Sequence, residues 1–101
     1  MKTSTNQIPL CSPGEFLDEE FLKPMGITAY RLAKDIHVPA TRIHAIVKQH
    51  RSITADTALR LERYFGLSEG YFLRLQAHYD IRKAKRDNGP QIEREVVPLA
   101  V

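Results

Sequence analysis

The sequence predicts an all-α domain of five short helices, and three observations carry this prediction. Its 101 residues suit one domain with a single hydrophobic core. Residues that begin and end helices recur at short intervals, and neither hairpin turn signals nor internal repeats separate them. We expect the helical domain to span residues 12–87, between a flexible arm at residues 1–11 and a tail at residues 88–101.

Composition and charge narrow the class of protein. The one cysteine, Cys11, cannot form an intramolecular disulfide and indicates a reducing compartment. There is neither an apolar run near the roughly 18 residues of a membrane span nor a secretory signal, so we expect a cytoplasmic protein. The net charge of +3 only mildly favours an anionic partner. A basic cluster near the end, Arg82, Lys83, Lys85 and Arg86, by itself indicates only a solvated face.

The first helix is predicted to begin at Ser12. Serine is a preferred N-cap, Pro13 suits the first helical position, and Glu15, three residues after the serine, completes a capping box. Pro24 and Gly26 should end this helix.

Further hydroxyl residues mark later helix starts. Thr28 is expected to cap a second helix, and Thr54 a fourth helix that Gly66 ends. Ser68 is expected to cap a long, aromatic-rich fifth helix. Asn88-Gly89-Pro90 should end that helix, because proline cannot continue it. The final segment, QIEREVVPLAV, is rich in β-branched residues and predicts either a strand that needs a partner or a disordered tail.

One helical pattern is interrupted in the stretch LAKDIHVPATRIHAIV, residues 32–47. Apolar residues keep helical spacing on both sides of a central His-Val-Pro. A proline inside a helix costs about 3 kcal/mol, and the residue before it avoids helical dihedral angles. Two separate helices avoid this cost if Pro39 lies in the first turn of the second, where its missing N–H is no loss. We therefore predict a second helix ending near Ile36 and a third running from about Pro39 to Gln49.

The third helix should present a short, polar and basic outer face. Ile43, Ile46 and Val47 share one narrow side, which must be core. The opposite side has no acidic residue, whereas a helix that only faces solvent more typically carries Glu-Lys pairs. Such a face suits the major groove of DNA, where its polar and basic side chains reach base edges and phosphates. The DNA-contact candidates on and beside this helix are Pro39, Ala40, Thr41, Arg42, His44, Ala45, Lys48 and Arg51, with Arg31 and Thr54 as further phosphate candidates.

These candidates have different expected roles. Thr41 and Arg42 should contact bases or backbone, with Arg42 bidentate to a guanine. Lys48 and Arg51 should contact phosphates, which adds affinity without sequence information. His44 suits a base reader and a groove-wall residue equally.

The spacing matches a twenty-residue helix-turn-helix. With Ala29 as the first position, the small Ala33 falls fifth, where it lets the two helices cross closely, and Ile43 falls fifteenth. The ninth position, in the turn, usually holds glycine because its φ tends to be positive, and here it is His37. Since histidine adopts positive φ more often than most non-glycine residues, we expect a left-handed backbone at His37.

Three segments together carry a family resemblance: PGEFLDEEFLKPMGIT, YRLAKDIHVPATRIHAIVKQHRSITADTALRLERYFG and LSEGYFLRLQAHYDI. From Pro13 to about Lys85 the chain resembles the HigA family of antitoxins, a branch of the lambda-repressor-like, XRE-type helix-turn-helix proteins. The resemblance implies a lambda-repressor-like DNA-binding domain in a homodimer that binds a palindromic operator of double-stranded DNA. It also implies that the protein neutralises a HigB-type, messenger-RNA-cleaving toxin and represses its own operon.

Two positions depart from the family's pattern. Phe72 stands where tryptophan is expected, and Gln49-His50-Arg51 stands where an Asn-Gly-Lys-Arg-like turn is usual. A twofold operator needs a twofold protein, and the fifth helix has too many apolar groups for one exposed helix. Most of these apolar groups should be core, and those left over would form a dimer interface, for which Phe72, Leu75 and Tyr79 are the candidates. The segment around Val96 and Val97 is a further candidate for pairing across the dimer or for engaging the toxin.

Three other classes of function remain as alternatives. One is a helix-turn-helix regulator with no toxin partner, and another is an interaction module whose helices serve only protein contacts. An enzyme is the third, but Cys11 has no positioned base and no glycine loop cradles a phosphate, so we expect no catalysis. Neither a cofactor nor a metal is expected, since the four histidines lack paired ligand spacing and no cysteine pair is present.

Overall fold

The protein, as a computed structural model, is described over residues 11–100 and is built there from five helices, which confirms the all-α prediction. Helix α1 joins an α-helical turn (Pro13–Leu17), a π-helical turn (Asp18–Leu22) and a last α-helical turn (Lys23–Met25). It is followed by α2 (Ala29–Ile36), α3 (Ala40–Val47), α4 (Ala55–Phe65) and α5 (Tyr71–Glu95). The arm predicted for residues 1–11 lies, apart from Cys11, outside the described residues.

Two of the predicted helix caps form as expected. The Ser12 hydroxyl accepts a hydrogen bond from the backbone N–H of Glu15 at 3.1 Å, and the Thr28 hydroxyl accepts one from Arg31 at 3.0 Å. Thr54 precedes α4 as predicted, but its hydroxyl donates to the Thr57 hydroxyl at 3.4 Å instead of accepting from a backbone N–H.

Every helix contributes apolar side chains to one core. Phe21 of α1 is half-buried at the edge of this core and contacts two other helices, with its ring 4.8 Å from that of Phe65 and 5.8 Å from that of Phe72. The buried apolar residues are Leu17, Leu22, Leu32, Ala33, Ile36, Val38, Ile43, Ile46, Ile53, Ala58, Leu61 and Phe72. The core therefore covers the side of α3 that carries Ile43 and Ile46, and the opposite side of the helix faces solvent.

Helix α5 does not end where its sequence predicts. The expectation that Asn88-Gly89-Pro90 ends it is wrong, because the helix continues to Glu95 with Pro90 inside it. Proline removes one backbone donor, but this part of α5 is exposed, so water can solvate the carbonyl left without a partner. The backbone N–H of Val96 still donates to the carbonyl of Ile92 at 2.8 Å.

The strand expected in the tail is also absent from the described residues. Residues 88–95 are helical, and residues 96–100 have no regular secondary structure. A strand needs a neighbour to receive its backbone hydrogen bonds, and residues 11–100 contain none. The radius of gyration, 16.6 Å, exceeds the value of about 13 Å typical of a compact 100-residue domain. The difference reflects the second half of α5, which projects from the core.

A buried carboxylate, and not the predicted Ser68, holds the start of α5. Glu62 of α4 is only 3% exposed, and its two oxygens accept from the backbone N–H groups of Gly70 at 3.0 Å and Phe72 at 2.9 Å. The Ser68 hydroxyl instead accepts from the Arg74 guanidinium at 3.2 Å. Because these N–H groups have no partner within their own helix, Glu62 caps α5 from a neighbouring helix.

The start of α1 touches the backbone of α3 through Gly14. A Cβ atom built on this buried glycine would lie 1.7 Å from the carbonyl oxygen of Ile46. Only glycine allows the two backbones to approach this closely. This contact sets the position of the C-terminal turn of α3 against the body of the domain.

We expect Gly14→Ala to destabilise the protein by about 3 kcal/mol, because the added methyl group overlaps the Ile46 carbonyl. Gly89→Ala is the matched control: apart from its own helix and chain neighbours, no atom lies within 4 Å of its Cβ position. We expect it to change stability by no more than about 1 kcal/mol, because the better helix propensity of alanine is opposed by its contact with Pro90. Urea unfolding of the three proteins measures both changes. Equal stability of the Gly14→Ala variant and the wild type would contradict the close contact.

We expect Glu62→Gln to lower the free energy of unfolding by roughly 1–3 kcal/mol, since the amide NH2 would face a backbone N–H that now has an acceptor. Glu93→Gln, the same change at an exposed position of α5, should alter stability by less than about 0.5 kcal/mol. Thermal and urea unfolding followed by circular dichroism would compare the two. A loss of similar size in both variants would show that Glu62 does not cap α5.

Candidate nucleic-acid interface

The turn between α2 and α3 has the left-handed backbone predicted for His37. Its φ is 63° and its ψ 49°, so histidine occupies the conformation that glycine usually takes. The backbone N–H of His37 donates to the Lys34 carbonyl at 3.3 Å, and that of Val38 donates to Ala33 at 3.0 Å. These two bonds form a Schellman motif, which ends α2 and reverses the chain into α3.

Arg60 of α4 fixes this turn from outside. Its Nη1 donates to the carbonyl oxygen of Ile36 at 2.9 Å and to that of His37 at 3.4 Å, while its Nε donates to Asp56 at 2.9 Å. A cation at these carbonyls also complements the negative end of the α2 dipole. The sequence shows the Asp56–Arg60 spacing of a helical ion pair, but it does not show that Arg60 reaches a turn more than twenty residues earlier in the chain.

Helix α3 is held at its C-terminal end by a second turn of the same kind. Gln49 has a φ of 66° and donates to the Ile46 carbonyl at 3.0 Å, and His50 donates to Ala45 at 2.8 Å. At the other end, Pro39 lies one residue before the helix, with extended dihedral angles, and not within the first turn as predicted. His37 and Gln49, the residues that flank α3, both adopt a positive φ although neither is glycine.

The structure brings the predicted DNA-contact residues of α3 onto one exposed surface. Ile43 and Ile46 are buried, whereas Thr41, His44 and Lys48 are exposed and Ala45 is half-buried. We call the surface formed by Thr41, His44, Ala45 and Lys48 the outer face of α3. Pro39 and Arg51, at the two ends of the helix, are exposed as well, and Ala40 is half-buried. From residue 36 to residue 55 the chain has no acidic side chain, so this surface carries no carboxylate of its own.

Arg42 differs from the other candidates because the protein partly encloses it. The residue is half-buried, and its Nε is buried without a hydrogen-bond acceptor among residues 11–100. Packing of the stem reduces the side-chain entropy that Arg42 loses on binding, and it leaves the two Nη groups as the donors that can reach DNA.

Arg31 is exposed on α2, but it is already paired. Its Nε lies 3.4 Å from Asp35, and the Tyr64 hydroxyl donates to the same carboxylate. The Tyr64 hydroxyl and the Arg31 guanidinium lower the pKa of Asp35 below its ordinary value, so this carboxylate stays charged at neutral pH. A phosphate contact by Arg31 would therefore compete with Asp35.

Two of the three predicted dimer-interface residues keep some exposed surface. The assignment of Phe72 was wrong, because this side chain is fully buried in the core of its own chain and cannot reach a partner. Leu75 and Tyr79 lie on the same side of α5 and are half-buried. On the opposite side, Leu73, Ile81 and Ile92 are exposed at helical spacing, a set that sequence reasoning missed. We call these three residues the α5 stripe.

Among residues 11–100, no group of His, Cys, Asp and Glu is suited to hold a metal ion. None of the described helices is long and apolar enough to cross a membrane. Partial burial and the nearby Glu15 carboxylate raise the pKa of the Cys11 thiol, which lowers its thiolate fraction at neutral pH.

Comparison with known proteins gives consistent matches. A helix-turn-helix family model, HTH_3, matches residues 19–72. Virulence-associated protein I of Dichelobacter nodosus is 48% identical over 95 residues, which cover 94% of this chain and 86% of that protein.

Solved structures match over nearly the whole chain. The Pseudomonas aeruginosa antitoxin HigA, solved with the higBA promoter, superposes with a TM-score of 0.85 at 40% identity and covers 91% of this chain and 100% of its own. An addiction module antidote protein of the HigA family from Coxiella burnetii superposes with a TM-score of 0.84 at 43% identity, with the same coverage.

We expect His37→Gly to raise the free energy of unfolding by up to about 1 kcal/mol, because glycine removes the left-handed strain at a smaller entropic cost. Lys34→Gly, an exposed change inside α2, should instead cost about 1 kcal/mol. Urea unfolding would show the opposite signs. A loss of stability in both variants would contradict a strained backbone at His37.

Proposed function

Because the chain belongs to the HigA-type branch of the helix-turn-helix family, we propose that it is a DNA-binding antitoxin that represses its own operon and neutralises a HigB-type toxin. The outer face of α3 is the observation that carries the DNA-binding part of this proposal. It is exposed, free of carboxylates and held at both ends by defined turns. A helix with this surface can enter the major groove without first breaking ion pairs of its own.

Each candidate residue has a part in this binding mode. Thr41 and Arg42 lie in the first turn and a half of α3, where they would meet base edges. The Nη groups of Arg42 suit the two acceptors of a guanine. Lys48 and Arg51 lie at the opposite end of α3, where they would meet phosphates on the groove wall. Thr54 is exposed at the end of the loop that joins α3 to α4, and it would add a contact to the DNA backbone.

A homodimer would match a palindromic operator, since each half-site needs one α3. The α5 stripe supports this part of the proposal: Ile81 is 59% exposed and Ile92 49% exposed on a helix that projects from the core. Two such helices packed together would cover these side chains. Leu75 and Tyr79 would contribute from the margin of the contact, because they are already half-covered by their own chain.

The role we propose is binding and not catalysis. The thiol of Cys11 has a raised pKa, which is unfavourable for a nucleophile. The toxin-binding part of the proposal is supported by the similarity to HigA proteins over most of the chain.

We expect Arg42→Ala to weaken binding to the DNA upstream of its own gene by about 5- to 150-fold, as loss of a bidentate guanine contact does. Lys48→Ala should weaken binding to all sequences alike and reduce the slope of log K against log salt by about 1. Lys23→Ala is the control, because Lys23 lies on the acidic α1 and pairs with Glu19 at 2.6 Å. Fluorescence anisotropy over a range of salt concentrations measures all three. Unchanged binding by both α3 variants would refute the assigned reading helix.

The toxin is tested separately. Co-expression with the neighbouring open reading frame should yield a complex with a small basic protein whose toxicity the antitoxin suppresses. If the neighbour neither binds nor is toxic, the protein is a helix-turn-helix regulator with no toxin partner.

A further inference from the structure

We propose that the cleft between the α3–α4 loop and α5 is a phosphate-binding site in which Lys83 and Arg51 hold one backbone phosphate of the bound DNA. This inference rests on the proposed function and extends the DNA-binding surface from α3 to α5. The cleft has a volume of about 200 Å³, and its lining includes Ile46, Gln49, Arg51, Gln76, Tyr79 and Lys83. Sequence patterns give Lys83 no role beyond a solvated basic cluster.

The location of the cleft relates it to the groove. Lys48 is the last residue of the outer face of α3, and the four residues that follow it, 49–52, line the cleft. The cleft therefore adjoins the outer face at the C-terminal end of α3. When a helix lies in the major groove, its flanks face the sugar-phosphate walls. A phosphate is thus the part of DNA that this cleft would meet.

The charges in the cleft favour an anion. Among residues 11–100, neither Arg51 nor Lys83 has a carboxylate oxygen within 4.0 Å, whereas Lys23, Arg31, Arg60 and Arg86 are all paired. His50 adds a further donor to the lining. Two cations without ion pairs at one cleft need no other bond to be broken before they accept an anion.

One acidic residue, Asp80, also lines the cleft, so its charged lining residues are two cations and one carboxylate. Asp80 accepts from the Gln76 amide nitrogen at 2.9 Å, and the Gln76 amide oxygen accepts from the backbone N–H of Ile53 at 3.1 Å. The bond from Ile53 to Gln76 ties α5 to the loop after α3, whereas the bond from Gln76 to Asp80 lies within α5. At about 30 Å³ per water, the cleft has room for several waters or for one phosphate with part of its hydration.

Helical geometry separates Lys83 from its basic neighbours. Lys83 is four residues after Tyr79 and seven after Gln76, so these three side chains share one side of α5. Lys85 lies about 200° further around the helix and does not line the cleft. The two lysines have the same charge and are both exposed, which makes Lys85 a matched control.

The first experiment compares Lys83→Ala and Lys85→Ala in the full-length protein, with a duplex of the DNA upstream of its gene. We expect Lys83→Ala to weaken binding about 3- to 10-fold at 0.15 M salt and to reduce the slope of log K against log salt by about 1. Lys85→Ala should bind as the wild type does. Circular dichroism and thermal unfolding would verify that both variants are folded.

The second experiment separates a DNA phosphate from a free one. Inorganic phosphate is titrated into ¹⁵N-labelled protein without DNA, and the backbone amide signals of Arg51 and Ser52, which line the cleft, are followed. A saturable shift that Lys83→Ala abolishes supports the phosphate site. Such a shift combined with wild-type DNA binding by Lys83→Ala would assign the site to a free phosphorylated molecule.

Failure of the phosphate-site proposal and failure of the proposed DNA-binding function give different experimental results. If Lys83→Ala matches Lys85→Ala in both experiments while Arg42→Ala loses DNA binding, the phosphate site is refuted and the reading helix stands. If the wild type binds no DNA but phosphate still shifts the amide signals of Arg51 and Ser52, the DNA-binding function is refuted and the cleft remains a phosphate site.

Discussion

The outer face of α3, the proposed DNA-binding surface, depends on one backbone constraint, the left-handed turn at His37. Two backbone hydrogen bonds onto the carbonyls of Ala33 and Lys34 close this turn, and Arg60 of α4 holds its outer side. The direction of α3 follows from these contacts, and with it the direction in which Thr41 and its neighbours point. A basic helix without such an anchor would attract DNA through charge alone, because reading a base requires a fixed geometry.

At both ends of α3, a residue with a strained backbone is held in place by packing from neighbouring helices. His37 and Gln49 adopt a conformation that favours glycine, at a cost of about 1–2 kcal/mol each. The surrounding packing compensates for this cost: Gly14 brings α1 against the Ile46 carbonyl, and the core holds Ile43 and Ile46 from behind. Strained residues persist only where neighbouring structure determines their conformation, and here they border the surface that we propose to contact DNA.

Residues of the same type have different functions according to their partners. Arg60 is used within the protein, since it bonds to Asp56 and to two carbonyls of the α2–α3 turn. Arg31 is shared between Asp35 and solvent. Arg51 has no carboxylate within reach among the described residues and remains available to an anion. The net charge of the chain does not distinguish these cases, but the distances do.

The sequence by itself determined the five helices, the capping hydroxyls of Ser12 and Thr28, and the reversal at His37. These features depend on bonds between residues three to five apart, so local patterns are sufficient to predict them. Local signals failed where longer contacts or solvent decide. Only the tertiary structure showed that Glu62 caps α5, that Phe72 is core and not interface, and that α5 continues beyond Asn88-Gly89-Pro90. The physical reason is that an aromatic or acidic side chain has the same periodicity whether its neighbour is its own core, a partner chain or water.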